Sequence, residues 1–255
     1  MPLIRTEIRD HIAVVTMDAP PVNAVNAEFM REMISTFDRF NDLDDVRVVV
    51  LTGAGKAFCA GADIKARAGK VFEAGERWEH NRLAREIGYA IVECKKPVIA
   101  AVNGVALGAG LGIAACCDIL LCSENAVFGL PEVDVGLMGG GRHAQRICGH
   151  SLTRRMMISG DRISGAEFYR RGIVEACVAP DQLMPTAMDM ARRIAAKSPL
   201  ASRTAKQSAA TIENMTLRDG YRFEQNMTAE LSKSEDSREA MRAFAEKRAP
   251  VFQGR

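Results

Sequence analysis

Residues Val98 to Arg142 read VIAAVNGVALGAGLGIAACCDILLCSENAVFGLPEVDVGLMGGGR. Val98 to Val102 is continuously apolar, the mark of a strand covered on both faces. Asn103-Gly104 then predicts a turn, and Gly108-Ala109-Gly110-Leu111-Gly112 opens a helix over Ile113 to Cys117. A second apolar strand follows, and after it comes one carboxylate, Glu132. Strand, turn, buried helix and strand in that order predict an α/β protein with ligands at the carboxyl ends of its strands.

The glycine-rich helix head can receive an anion, because the first amides of a helix have no internal partners and sit at the positive end of its dipole. A dinucleotide pyrophosphate does not fit the spacing, since Ile113 stands where the third glycine of G-x-G-x-x-G belongs. A Walker phosphate loop is excluded because no Lys-Ser or Lys-Thr follows these glycines. Two readings remain: small residues that let a helix pack closely, or half of an oxyanion hole. Ala60 to Asp63 is a second small-residue loop after a buried strand, and the two loops together offer two N–H groups to one carbonyl oxygen. Glu132, among Phe128, Leu130, Pro131 and Val133, is the carboxyl whose desolvation would raise its pKa toward the acid–base range.

Working outward, residues 3 to 17 alternate loosely and predict a strand followed by a turn at Asp18-Ala19-Pro20-Pro21, in a hairpin or at a sheet edge. Asn26 reads as a helix cap, followed by Met30, Met33, Ile34, Phe37 and Phe40 at helical steps. Val46 to Leu51 is another doubly covered strand, and 52–63 reads as a loop beyond it. Ile64 to Arg77 shows no clean stripe. Leu83, Ile87, Ile91 and Cys94 then form a helical stripe that ends before Pro97. Beyond Arg142, Leu152 to Ser159 and Gly165 to Gly172 read as short helices and Ile173 to Val178 as a strand. From Pro185 onward the pattern is helical throughout. The expected division is a core over 1–195 and a helical region over 196–255.

Composition narrows the function classes. The chain of 255 residues can bury a full core, and its 47% hydrophobic and 26% charged content is that of an ordinary globular protein. A net charge of +2 with interspersed signs argues against nucleic acid or a membrane surface as partner. No signal peptide or membrane-length apolar run is visible, so a cytoplasmic address is expected. The seven cysteines form no C-x-x-C pair and four of them sit in apolar runs, which predicts reduced thiols. The four scattered histidines suggest no metal site.

The markers Ala60-Gly61-Ala62-Asp63, Lys96-Pro97-Val98-Ile99-Ala100-Ala101-Val102-Asn103-Gly104, Cys117-Asp118, Phe128-Gly129-Leu130-Pro131-Glu132, Gly160-Asp161-Arg162-Ile163-Ser164 and Glu246-Lys247-Arg248 stand in order along the chain. Together they resemble the crotonase family of enoyl-CoA hydratases and isomerases. The resemblance implies a spiral of ββα turns with C-terminal helices that build a trimer or a hexamer and help close the active site. It further implies an acyl-CoA substrate of fatty-acid metabolism, with no cofactor besides the coenzyme A that the substrate carries. On this resemblance the backbone N–H groups of Ala62 and Ala109 hold the thioester oxygen, and Ala60, Ala62, Asp63, Ile64 and Lys65 line the substrate. Lys247 reaches coenzyme A, commonly from a neighbouring subunit, and Glu132 is the acid–base residue.

Two departures qualify the expectation. A hydratase of this family carries glycine where this chain has Ala109 and a second glutamate where it has Gly112. A single acid serves double-bond isomerisation readily, although some relatives hydrate with one. Gly139-Gly140-Gly141-Arg142-His143 brings a cation and an imidazole near the pocket, making His143 an accessory candidate as proton carrier. Hydration or dehydration of a 2-enoyl-CoA is the expected activity. The alternatives are double-bond isomerisation, hydrolysis with His143 as base, and a catalytically weak acyl-CoA-binding homologue.

Overall fold

The computed structural model describes residues 2–64, 69 and 71–255. The chain begins with a hairpin, β1 (Ile4–Arg9) and β2 (Ile12–Met17), antiparallel about Asp10-His11. The stretch over 3–17 takes the hairpin option: Asp10 and His11 take φ of 51° and 64°, the left-handed pair that a tight hairpin turn requires. Helix α1 (Ala27–Phe40) starts at Asn26, whose side-chain oxygen accepts the Phe29 amide at 2.8 Å, and it buries Met30, Met33, Phe37 and Phe40 as the spacing predicts.

Three repeats follow. Strands β3 (Val48–Gly53) and β4 (Ala57–Cys59) precede α2 (Glu76–Glu93); β5 (Val98–Val102) and β6 (Val105–Leu107) precede α3 (Ala109–Cys116); β7 (Ile119–Ser123) and β8 (Val127–Gly129) precede α4 (Gly141–Ser159), which breaks at Gly149. The first strand of each pair joins a six-stranded sheet, β1-β2-β3-β5-β7-β10, and the second joins a four-stranded one, β4-β6-β8-β9. β9 is Arg162–Ser164 and β10 is Ala176–Val178; the short helix α5 (Gly165–Arg170) lies between them. Each ββα turn stacks in parallel on the one before, which makes the chain a spiral.

The unbroken apolar runs have the cause the sequence suggested. Val49, Leu51, Val98, Ala100 and Val102 point into the main core with Phe29, Met33 and Phe37, while Val48, Val50, Ile99 and Ala101 face the opposite side. That second side is covered by α6 (Leu183–Ala195) through Leu183, Ala187 and Ala191. Neither face of the central strands meets water, so alternation is lost.

Helices α7 (Pro199–Ile212), α8 (Leu217–Leu231) and α9 (Glu235–Ala245) complete the chain. Helix α7 is fixed to the spiral by Lys206, a buried cation whose Nζ lies 2.9 Å from Asp118 Oδ2 and donates to the carbonyls of Ile91 and Lys96. Asp236 ties α9 to Ser198 and to the backbone of Gln253 and Gly254.

Candidate active site

The head of α3 lies where the spiral brings two loops together. The helix runs over Ala109–Cys116, so the glycine stretch expected to open it forms its first turns, and Gly110 is packed so closely on β4 that a Cβ there would lie 2.0 Å from the Cys59 carbonyl oxygen. Cys59 belongs to that strand rather than to a loop; it is fully buried, and burial pushes its thiol up to about 12. A thiol so buried is inert as a nucleophile.

Ala109 supplies the first amide of α3, which has no intrahelical acceptor. The facing loop is anchored to Val25, whose amide donates to the Gly61 carbonyl and whose carbonyl accepts the Asp63 amide. This bridge occupies the residues on either side of Ala62 and turns the Ala62 N–H the other way. A Cβ on Gly61 would lie 3.7 Å from the Ala109 nitrogen, so the two backbones run side by side. Among the described residues neither the Ala62 nor the Ala109 amide donates a hydrogen bond. The expected pair is thus brought together.

Glu132 completes the group. It sits in a 3-10 helix, Pro131–Val135, and its carboxylate closes over Gly108: a Cβ on Gly108 would meet Oε1 at 2.6 Å. Gly108 also takes φ of 53°, so two independent constraints require glycine there. Oε2 of Glu132 is buried with no hydrogen-bond partner among the described residues, and burial raises the carboxyl above its ordinary value. A carboxyl raised by desolvation is the kind of group that serves as general acid or base.

His143 is half-buried. Its ring fills the space that two glycines leave, with Cγ 3.9 Å from a Cβ built on Gly112 and Nε2 3.2 Å from one built on Gly88 of α2. Burial lowers its pKa, and the charges of Arg146 and Arg142 lower it further. The imidazole therefore faces the position where the resemblance implies a second glutamate. Nothing in the spacing of the sequence marked Gly88 as its other wall.

The remaining candidates are more dispersed. Ala60 donates its amide to the Val22 carbonyl, Asp63 lines a small cavity of ≈ 210 Å³ beside Asn26 and His80, and Ile64 is exposed. Lys65 lies outside the described residues. Lys247 is exposed just beyond α9 with a positive φ of 53°. Among the described residues no cluster of three or more His, Cys, Asp or Glu could hold a metal ion.

Two amides without a hydrogen-bond acceptor among the described residues, on adjacent backbone segments, and a desolvated carboxyl at a helix head suit acid–base chemistry at a carbonyl group. The chain belongs to the enoyl-CoA hydratase/isomerase family, whose model matches residues 7–255. It is 36% identical over 259 residues to a Rhizobium meliloti protein described as "Probable enoyl-CoA hydratase", covering 98% of this chain and 97% of that one. It is also 36% identical to the short-chain-enoyl-CoA hydratase of Clostridium acetobutylicum, over 93% of this chain and 92% of that one. The crystal structure of an enoyl-CoA hydratase from Bacillus anthracis superposes with a TM-score of 0.94 at 30% identity, covering 99% of this chain and all of the other. The expected spiral and the reading as a hydratase-type acyl-CoA enzyme agree with this membership.

Proposed function

We propose that the chain hydrates a 2-enoyl-CoA thioester and, in reverse, dehydrates the 3-hydroxyacyl product. The observation that carries this is the buried, unpartnered Oε2 of Glu132 above the head of α3, beside the Ala62 and Ala109 amides. Glu132 as carboxylate takes a proton from water while the water oxygen bonds to C3. The π electrons of the double bond shift toward the thioester oxygen, which accepts hydrogen bonds from Ala62 and Ala109. Glu132 then gives the proton to C2, so one water is added and the carboxylate is restored. His143, held largely neutral, is the accessory group for the water.

These steps call for no cofactor apart from the coenzyme A of the substrate. The thioester arm runs past Ala60, Asp63 and Ile64, and Lys247 meets its phosphates. A trimer or hexamer is supported by exposed apolar side chains on the single chain, including Met138, Leu217 and Phe244. A cytoplasmic address is supported by seven free thiols, and no helix among the described residues is long and apolar enough to cross a membrane. Incubation with a trans-2-enoyl-CoA in labelled water tests the assignment: oxygen label at C3 of the product supports it, and its absence overturns it.

Gly112 favours a second reading, double-bond isomerisation, in which Glu132 alone takes a proton from C2 of a 3-enoyl thioester and returns it at C4 as the double bond shifts to C2–C3. A 3-enoyl-CoA consumed faster than the 2-enoyl isomer would select it.

A further inference from the structure

A cavity of ≈ 1040 Å³ opens beyond His143, walled by α2, the end of α3, the start of α4 and α7. Its charge is one-sided, with six lysines and arginines lining it against two glutamates. Two of the cations are compensated: Arg146 is held by Glu213 at 2.8 Å and Lys206 by Asp118 at 2.9 Å. Arg85, Lys95, Arg142 and Arg203 have no carboxylate within ion-pair distance among the described residues, and the charge of Arg142 acts at longer range on Glu213. Arg142 donates to a neutral partner, Asn214 Oδ1, at 3.1 Å.

Two residues of its lining, His143 and Arg142, adjoin the site of the chemistry. His143 lines it and packs on Gly112, which is about one helical turn along α3 from Ala109. On the other side, a Cβ on Gly139 would lie 3.7 Å from Glu132 Oε1 and one on Gly140 would lie 3.7 Å from the Gly108 carbonyl oxygen, and the chain runs directly from these glycines into Arg142. An acyl chain whose thioester carbonyl rests on Ala62 and Ala109 has this wall to follow.

We propose that the cavity receives a carboxylate at the far end of the acyl group, so that the substrate is the CoA thioester of a dicarboxylic enoic acid. Arg142 is its partner, and Arg85 and Arg203 supply the surrounding positive field. A guanidinium binds a carboxylate through two parallel hydrogen bonds, which a methyl terminus cannot accept. This inference rests on the acyl-CoA reading above.

The test is a set of matched trans-2-enoyl-CoA thioesters over a range of lengths, each pair differing only in a methyl or carboxylate terminus. Binding of both to the Glu132→Gln variant is measured in parallel by calorimetry and reads the same preference where conversion is slow. The carboxylate member is expected to be favoured about tenfold or more at one length, Arg142→Ala to lower that ratio about tenfold, and Arg142→Lys to restore part of it. A methyl terminus equal or favoured at every length, or a ratio unmoved by Arg142→Ala, overturns the inference and leaves the hydratase reading standing. Neither conversion nor binding of any pair removes the reading itself.

Discussion

The carboxylate of Glu132 and the backbone of Gly108 are in contact: Oε1 lies 2.6 Å from where a β-carbon on Gly108 would stand. The acid is thus set against the helix head by the absence of a side chain. Gly108→Ala must displace Glu132 and also adopt φ of 53°. We expect kcat/KM to fall by about 10² and stability to fall by roughly 1–3 kcal/mol from the positive-φ conformation alone. Steady-state kinetics and urea unfolding measure both, and near-wild-type turnover would show that the contact does not position the acid.

Ala109 offers a way to delete one amide without deleting a side chain. Proline is tolerated at the first position of a helix, where its missing N–H has no intrahelical acceptor. Ala109→Pro should therefore lower kcat by about 10²–10³ while stability changes by less than about 1 kcal/mol. A stable, fully active variant would remove Ala109 from the oxyanion pair.

Glu132 also carries a stability signature. Its folded pKa is raised above the ordinary 4.5, so the native state binds the proton more tightly than the unfolded chain does. The corresponding stability is fully present below pH 4.5 and is lost as pH rises through the raised value. Glu132→Gln should melt above wild type at neutral pH, with the gap closing on acidification below 4.5. A gap of the opposite sign would mean that the ionised carboxylate is stabilised in the fold.

Gly112 and His143 make a separable pair. A Cβ on Gly112 meets the ring at 3.9 to 4.0 Å, ordinary contact, so Gly112→Glu should fold. The new carboxylate would favour the charged imidazole and raise the His143 pKa, now held below its ordinary value, by about one unit or more. An NMR titration reads this directly, and an unmoved resonance would place the two groups apart.

Lys206 tests the docking of α7. Its Nζ is buried among Asp118 and two carbonyls, and Asp118 also accepts the Val98 amide at 2.7 Å. Lys206→Met leaves those acceptors unpaired and should cost roughly 2–4 kcal/mol. Denaturant unfolding measures it, and a loss within about 0.5 kcal/mol would show that α7 is held by other contacts.

Much of this fold was legible because burial on both faces writes itself into sequence as runs such as Val98 to Val102 and Val48 to Leu51. The short strands β4, β6, β8 and β9 were not, since three residues are too few to show a period and they pair only once the spiral has closed. Glu132 stood out as a carboxyl in an apolar segment, and desolvation indeed raises it. The amides of Ala62 and Ala109 were approached through their small neighbours, whereas the seat of His143 between Gly112 and Gly88 depends on three helices meeting. No local pattern encodes such a meeting.

Conversion of a trans-2-enoyl-CoA by the Glu132→Gln variant, followed as loss of the conjugated absorbance alongside calorimetric binding of the same thioester, tests the central claim most directly. The account predicts retained binding with turnover reduced by at least about 10². Turnover equal to that of the wild type would contradict it.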